Sequence, residues 1–183
     1  TNDDPNTVAV EEDGYKVLTI RILTINQELT PVDIDEATMK ISAAVQSRTS
    51  NEFLIAARTD SRATHGLDEA LRRGEAFLSA GADILFIEAP QSIEEMQTIK
   101  NEFPETPLIA NMVEGGKTPE LSVKELEKLG FQIVLRPVTA LLSAADTLRR
   151  CYSSLSNESA AGSPPPMLSF DEYNEMIGLD DYK

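Results

Sequence analysis

The sequence has little of what several classes of protein require. It has one cysteine, Cys151, so no disulfide can form within the chain, which suits a reducing compartment. It has no apolar run of about eighteen residues, so we expect no membrane-spanning helix. Positive charge is also scarce, because 16 Lys and Arg face 31 Asp and Glu for a net charge of −15. This balance disfavours nucleic acid and anionic membranes as partners. We expect a cytoplasmic protein, with mitochondria as the alternative compartment.

The chain does contain enough apolar residues for a packed core. Hydrophobic side chains make up 41% of its 183 residues, a length that is enough for one domain. The acidity sets a condition on any anionic ligand, since its binding site then needs a local cluster of positive charge.

Short apolar strands alternate with amphipathic helices along most of the chain. The predicted strands are residues 15–25, 53–58, 83–89, 107–112 and 131–136. The predicted helices are residues 33–48, 66–81, 92–103, 118–130, 140–155 and 167–182. This rhythm is typical of an α/β fold with parallel strands joined by right-handed crossovers.

We divide the chain into four parts on this basis. They are a divergent N-terminal segment with one possible strand (1–32), four β/α units (33–155), a flexible Ser/Pro loop (156–166) and a C-terminal helix (167–183). The first helix of the second part precedes the four units.

Three of the apolar strands end in a polar residue that a dry core would reject. Arg58 ends "IAAR", Glu88 follows "ILFI", and Asn111 follows "PLIA". Ligands of parallel α/β folds bind beyond the carboxyl ends of the strands, so we predict that these residues share a site. An arginine binds a carboxylate bidentately, a carboxylate transfers protons, and an amide stabilises an oxyanion. Alternatively, Arg58 and Glu88 form a structural ion pair and Asn111 satisfies backbone groups.

Other polar residues near these ends have less specific interpretations. The stretch "EGGK" (114–117) resembles an anion-binding loop and is equally compatible with a plain turn. Asp60 is predicted to be a strand-end hydrogen-bonding residue, and His65 a turn or surface residue. A metal site needs several convergent carboxylates or imidazoles, and these strand ends carry no Asp-x-Asp pair, so we predict no metal ligand in this chain.

The segments "ARTDSRATHGLDEA", "ILFIEAP" and "IANMVEGGKTP", in this order and spacing, make the sequence resemble the isocitrate lyase/phosphoenolpyruvate mutase superfamily. The resemblance extends from about Asp33 to the end, including "FDEYNEMIGLDDY". It implies a (β/α)8 TIM-type barrel that uses magnesium and handles small keto or hydroxy diacids through an enolate. Members cleave C–C bonds, hydrolyse oxaloacetate or rearrange P–C bonds.

The resemblance also implies roles for individual residues. Arg58 would bind the substrate carboxylate, and Glu88 would be the catalytic residue, beside the substrate and a metal-bound water. Asn111, with the backbone at Met112 and Val113, would hold a second carboxylate or the enolate oxygen. The C-terminal helix is often exchanged between subunits in such proteins, which implies a homo-oligomer formed through residues 167–183.

The departures from the superfamily concern the first half of the barrel. The resemblance assigns to that half an S-G-Y-type substrate loop, the acidic magnesium ligands and a K-K-C-G-H loop with the catalytic cysteine. Here Cys151 lies in a predicted helix instead. We therefore expect the C-terminal half of a barrel, with parallel strands, outer helices and a C-terminal helical extension. Its magnesium ligands are expected not to be in this chain, and the chain is expected to be inactive alone.

Two further departures concern the substrate. Leu142 stands where methylisocitrate lyases have an arginine, which favours a smaller acid. Arg136 stands where the family usually has a tyrosine, and it offers an extra contact to a carboxylate or phosphate. The favoured function is a C–C lyase or hydrolase of small diacids. The alternatives are a phosphonomutase-type enzyme and a non-catalytic assembly or binding subunit.

Overall fold

The structure is a computed structural model that describes residues 19–24, 26–27, 30–50, 52–156 and 166–179. The chain divides at Pro137 into two units, residues 1–137 and 138–183, which are described in turn. Most of the predicted Ser/Pro loop lies outside the described residues, as do residues 15–18 of the first predicted strand.

The first unit alternates strands and helices. Its strands are β1 (Thr19–Thr24), β2 (Asn26–Gln27), β3 (Thr30–Pro31), β4 (Phe53–Thr59), β5 (Ile84–Ile87), β6 (Ile109–Asn111) and β7 (Ile133–Leu135). Its helices are α1 (Ile34–Ser47), α2 (Ser61–His65), α3 (Leu67–Ser79), α4 (Ile93–Glu102) and α5 (Val123–Leu129). Every strand predicted from Phe53 onward is found, with ends that differ by a few residues.

The longer strands run parallel and follow one another in chain order. β1 pairs with β4, β4 with β5, and β6 with β7, all in parallel. A bridge between Leu85 and Leu108 continues the order from β5 toward β6. The predicted mixed α/β fold with parallel strands is therefore confirmed. β1 adds a strand to the predicted series of four, since Thr24 at its end lies opposite Arg58 of β4.

Alternate residues of the strands pack on the two faces of the sheet. All four residues of β5 are buried. Leu85 and Ile87 pack in a large apolar cluster with residues of α1, α3, α4 and α5, whereas Ile84 and Phe86 belong to a smaller cluster. Successive strand side chains point to opposite faces, so the helices cover one face and the smaller cluster occupies the other. This packing fixes the strand ends that carry the polar residues.

Helix α2 was not predicted, because five residues are too few to display a helical period. It follows β4 directly and contains His65, an exposed residue as predicted, whose Nδ1 lies 2.7 Å from the hydroxyl of Thr64. Buried hydroxyls fix its beginning: Thr59 donates to the Ser61 Oγ at 2.9 Å, and the Ser61 N–H donates to the Thr59 Oγ1 at 3.2 Å.

The second unit contains helices α6 (Thr139–Ser156) and α7 (Phe170–Met176). The half-buried Cys151 lies in α6, as the helix prediction required. α7 is shorter than predicted and begins at a capping box formed by Ser169 and Glu172. No helix among the described residues has the length and apolarity needed to cross a membrane.

Candidate active site at the carboxyl ends of the strands

Arg58, Glu88 and Asn111 meet at one edge of the sheet. The Asn111 Nδ2 donates to both carboxylate oxygens of Glu88, at 3.3 and 3.2 Å. The Arg58 Nη2 lies 3.5 Å from the Glu88 Oε2. Neighbouring parallel strands end at the same edge, and this geometry brings together three residues that are far apart in sequence. The predicted convergence is present, and the roles predicted for the three residues remain proposals.

Arg58 is held in a defined orientation. Its Nε and Nη2 donate to the two carboxylate oxygens of Asp60 at 3.0 and 2.7 Å, as expected of a strand-end hydrogen-bonding residue. Its guanidinium carbon lies 4.8 Å from the centre of the Phe86 ring. Burial alone would lower the pKa of Arg58, but the hydrogen bond with Asp60 and the charges of Glu88 and Asp60 raise it above its ordinary value. The arginine therefore stays charged, and its bonds to described residues leave the Nη1 donors for a ligand.

The backbone after β5 is strained where it carries Glu88 into the site. The Glu88 N–H donates to the carbonyl of Thr59 at 2.9 Å, which fixes the residue against the end of β4. The next residue, Ala89, has a φ of +55°, in the left-handed region that residues other than glycine rarely adopt. Such strain persists only where the surroundings enforce it, and it is frequent at functional sites.

A second arginine ties the segment after Glu88 to α2. The Arg62 Nε donates to the Glu95 Oε2 at 2.8 Å, and the Arg62 Nη2 donates to the Glu95 Oε1. Glu95 also accepts from the Gln91 N–H at 2.8 Å. The hydrogen bond from Arg62 lowers the pKa of the Glu95 carboxyl below its ordinary value, against the opposing effect of burial. The pair joins the beginning of α4 to the helix that follows β4.

This pair explains why a fully reciprocal capping box is not seen at α4. The Ser92 side chain accepts from the Glu95 N–H, which is one half of such a box. The Glu95 carboxylate bonds instead to the Gln91 N–H and to Arg62. A charged bidentate partner competes successfully with a single backbone N–H, because hydrogen bonds between ionised groups are the stronger ones.

A cleft of about 290 Å³ opens beside the cluster. Its lining includes Glu88, Ala89, Asn111, Val113, Lys117 and Thr118. The cleft thus contains two of the three predicted strand-end residues, while Arg58 reaches it only through its contact with Glu88. The buried Oδ1 of Asn111 accepts no hydrogen bond from the residues that the structure describes. An unsatisfied buried acceptor at this position is open to a donor on a ligand or to water.

The predicted backbone contacts at Met112 and Val113 differ from each other. The Met112 N–H donates to the carbonyl of Leu135 at 2.9 Å, which continues the ladder between β6 and β7, and its side chain is buried. This N–H is therefore not open to a ligand, and the predicted role of Met112 has no free donor. Val113 does line the cleft.

The "EGGK" stretch forms a turn rather than an open anion loop. The Gly116 N–H donates to the carbonyl of Val113 at 2.9 Å, and Gly115 has a φ of +70°. Glycine adopts this φ readily, whereas a side chain there would be strained. The turn brings Lys117 to the wall of the cleft.

The described residues contain no cluster of three or more candidate metal ligands, that is, His, Cys, Asp or Glu side chains. Mg²⁺ requires several oxygen ligands in octahedral arrangement. The carboxylates of Asp60 and Glu88 are bonded to Arg58 and Asn111.

Comparison with known proteins gives a consistent family. The family profile described as phosphoenolpyruvate phosphomutase matches residues 11–155. The 2,3-dimethylmalate lyase of Eubacterium barkeri is 45% identical over 150 residues, which are 81% of this chain and 52% of that protein. The 2-methylisocitrate lyase of Bacillus subtilis (strain 168) is 44% identical over 121 residues, which are 66% of this chain and 39% of that protein.

Several solved structures of related proteins have a fold similar to that of this chain. A crystal structure of 2,3-dimethylmalate lyase has a TM-score of 0.75 and 34% identity, over 84% of this chain and 54% of that one. Oxaloacetate acetylhydrolase with the product oxalate has a TM-score of 0.75 and 29% identity, over 84% and 53%. A phosphonopyruvate hydrolase with oxalate and Mg²⁺ shares the fold, with a TM-score of 0.68 and 24% identity, over 90% and 59%. The chain spans about half the length of the curated relatives it matches.

Proposed function

The chain belongs to the phosphoenolpyruvate phosphomutase family, and from this premise we propose that it carries the carboxylate-binding edge of a lyase or hydrolase site for small keto or hydroxy diacids. The supporting observation is the Arg58–Glu88–Asn111 cluster beside a cleft of about 290 Å³. That volume lies at the lower limit of small-molecule sites, roughly 300 Å³, and suits a ligand of a few carbon atoms. The names of the relatives, dimethylmalate lyase and methylisocitrate lyase, agree with this class of reaction.

In this proposal each of the three residues acts on a different part of the ligand. Arg58 binds a carboxylate through its Nη1 donors, while Asp60 and Phe86 keep the guanidinium in place. Glu88 accepts the proton of the ligand hydroxyl, whose oxygen becomes a carbonyl as the C–C bond breaks and the electron pair of that bond enters the enolate. Asn111 donates a hydrogen bond from Nδ2 to the enolate oxygen, since its bonds to Glu88 are long at 3.2 and 3.3 Å and easily exchanged.

Magnesium is expected from the family resemblance, and bound Mg²⁺ would supply charge to stabilise the enolate. We propose that its ligands lie outside the described residues, because no suitable group converges among these. The isolated chain is therefore expected to show no C–C cleavage of 2,3-dimethylmalate or oxaloacetate with Mg²⁺ present. Turnover above background that disappears in Arg58→Ala would refute this expectation.

Ligand binding tests the site without requiring turnover. Calorimetric titration with oxalate is expected to show binding that weakens about tenfold or more in Arg58→Gln, since a charge-assisted carboxylate contact is lost. Arg72→Gln is the matched control, because Arg72 lies on α3 with 56% of its side chain exposed and pairs with Glu69. Equal affinities in all three proteins would exclude Arg58 from the site.

A non-catalytic assembly subunit is the second candidate. It is favoured by the lack of a metal-ligating group among the described residues and by exposed apolar side chains on and beside α7, including Met167, Phe170 and Met176. The role of the chain would then be to form a homo-oligomer through residues 167–183. Light scattering on the full chain and on a chain lacking these residues tests this candidate. An unchanged number of subunits in the shortened chain would exclude this helix as the contact.

A further inference from the structure

One wall of the cleft is formed by the β6–α5 loop, residues 112–122. Its residues that line the cleft are Val113, Gly116, Lys117 and Thr118. The loop contains neither helix nor strand. It is fixed at its beginning, where the Met112 N–H donates to the carbonyl of Leu135 at 2.9 Å, and near its end, where Leu121 is buried in the core. The lining residues lie between these two points, so their position depends on the turn and on side-chain contacts.

Arg136 contacts the β6–α5 loop on both sides of its turn. It directly follows β7, and its Nη1 lies 4.0 Å from the Glu114 Oε1 and 3.6 Å from the Glu120 Oε1. Glu114 precedes residues 116–118 of the cleft wall, and Glu120 follows them. One guanidinium nitrogen therefore lies between two carboxylates that flank this part of the wall.

The charges of the loop give this one cation a larger effect than an ordinary surface pair has. A single exposed ion pair contributes little. Here, however, Glu114 and Glu120 lie close to the same nitrogen, and their negative charges repel each other in a chain whose net charge is −15. Without Arg136 this repulsion acts within the loop and favours a more open arrangement of it.

Arg136 itself is not among the residues that line the cleft. Its nearest printed contacts are the two carboxylates of the loop, whereas Arg58 contacts Glu88 of the cleft at 3.5 Å. The two arginines at this edge of the sheet therefore have different positions relative to the ligand. Arg58 lies beside it, and Arg136 lies behind the wall.

We propose that Arg136 is a positioning residue, which holds the β6–α5 loop against the cleft through Glu114 and Glu120 and thereby raises the affinity for the ligand. The inference rests on the proposed function, because it takes this cleft to be the place where the small acid binds. When Arg136 is lost, residues 116–118 are no longer held at a fixed distance from Asn111. Affinity then falls although no group that contacts the ligand has changed.

A double-mutant cycle with oxalate as the probe tests this role. In calorimetric titration of the full chain, Arg136→Gln is expected to weaken oxalate binding about fivefold. In a chain that already carries Glu114→Gln and Glu120→Gln, the same change is expected to weaken binding by less than about twofold, because Arg136 then has no carboxylates to hold. A loss of equal size in both chains would show that Arg136 acts on the anion directly, which overturns the inference.

The conservative variant Arg136→Lys is expected to retain most of the oxalate affinity. Arg136 reaches its two partners through a single nitrogen at 3.6 and 4.0 Å, and such a contact needs a point charge rather than a planar fork. If Arg136→Lys loses as much affinity as Arg136→Gln, the charge between the two carboxylates is not what holds the loop, and the inference is overturned.

Tryptic digestion of the ligand-free chain measures the position of the loop directly. Lys117 is exposed within the loop, so the bond after it is open to trypsin, whereas Arg136 precedes Pro137 and is not a cleavage site. Arg136→Gln is expected to speed cleavage after Lys117 about threefold or more, since local opening exposes the backbone. Cleavage after Lys40, within α1, is the internal reference for global unfolding and is expected to stay unchanged.

Arg72→Gln is the matched control, because it removes an arginine that pairs with Glu69 on α3 and does not line the cleft. It is expected to leave the oxalate affinity and the cleavage after Lys117 unchanged. If either quantity is also unchanged in Arg136→Gln while Arg58→Gln loses binding, the inference is overturned and the proposed function stays intact. Failure of the native chain to bind oxalate overturns the proposed function, and the inference with it.

Discussion

Asp60 accepts two hydrogen bonds from Arg58, one from Nε at 3.0 Å and one from Nη2 at 2.7 Å. About a quarter of each side chain is exposed, so the pair is largely removed from water. We predict that Asp60→Asn lowers the free energy of unfolding by about 1–3 kcal/mol, because a partly buried charge loses its ionised partner. Urea denaturation of the two proteins measures the difference.

Glu105→Gln is the control for this change. It also removes one negative charge, and Glu105 is exposed in the loop before β6. It is expected to change stability by less than about 0.5 kcal/mol. If Asp60→Asn is as mild as the control, the ion pair contributes no net stability, and the contacts of Arg58 with Phe86 and Glu88 suffice to hold it.

The site was predictable where topology alone determines it. Parallel strands of a sheet end at the same edge, so the polar residues Arg58, Glu88 and Asn111 had to lie near one another once the strands were recognised. The Arg62–Glu95 pair was not predictable, because its partners are separated by 33 positions and nothing in either local sequence marks the other. Ser92 and Glu95 have the spacing of a capping box, but the Glu95 carboxylate bonds to Arg62 and to the Gln91 N–H instead of the Ser92 N–H.

The fold, like the site, was predictable from the sequence only in part. The pattern of residues 15–25 predicted a strand, but its place beside β4 depends on tertiary pairing that no local pattern contains. Helix α2 is too short for its period to be recognised. The sequence was compatible with either an anion-binding loop or a plain turn at Gly115 and Gly116. The hydrogen bond from the Gly116 N–H to the Val113 carbonyl shows that it is a turn.

The Arg62–Glu95 pair predicts a pH dependence of stability. The pKa of Glu95 is lowered in the folded protein by the hydrogen bond from Arg62, so the unfolded chain binds more protons near pH 4. The stabilisation is then fully present above the unfolded pKa, about 4.3, and is lost as the pH falls through the folded pKa. We expect Glu95→Gln to destabilise by about 1–2 kcal/mol at pH 6, and by progressively less below pH 4.

Urea denaturation at several pH values between 6 and 3 checks this expectation. Glu105→Gln again serves as the control, since its difference from the native chain is expected to stay small throughout the range. A Glu95→Gln difference that is constant with pH would show that the charge of this carboxylate does not contribute.

Gly74 predicts a packing effect in α3. A Cβ at this position would lie 2.7 Å from Cζ of Phe103 and 3.3 Å from Cδ1 of Leu85, and Phe103 is only 4% exposed. We predict that Gly74→Ala destabilises the chain by about 1–3 kcal/mol, because overpacking exceeds the gain of about 1 kcal/mol in helix propensity. The double variant Gly74→Ala/Phe103→Leu should lose less stability than the sum of the losses of the two single variants. Strict additivity in urea denaturation would show that Phe103 is not the obstacle.

Ala89 links backbone strain to the orientation of Glu88. Its φ of +55° costs an alanine about 1 kcal/mol or more relative to glycine, whereas glycine loses about 0.5–1 kcal/mol more backbone entropy on folding. Ala89→Gly should therefore change stability by less than about 0.5 kcal/mol, and Ala89→Val should destabilise by about 1–3 kcal/mol, because a β-branched residue fits this region poorly. The control is Ala144, exposed in α6, where replacement by glycine costs about 1 kcal/mol. Equal losses of stability in Ala89→Gly and Ala144→Gly would show that the backbone at Ala89 is not strained. No surrounding contacts would then be needed to hold Glu88 toward the cleft.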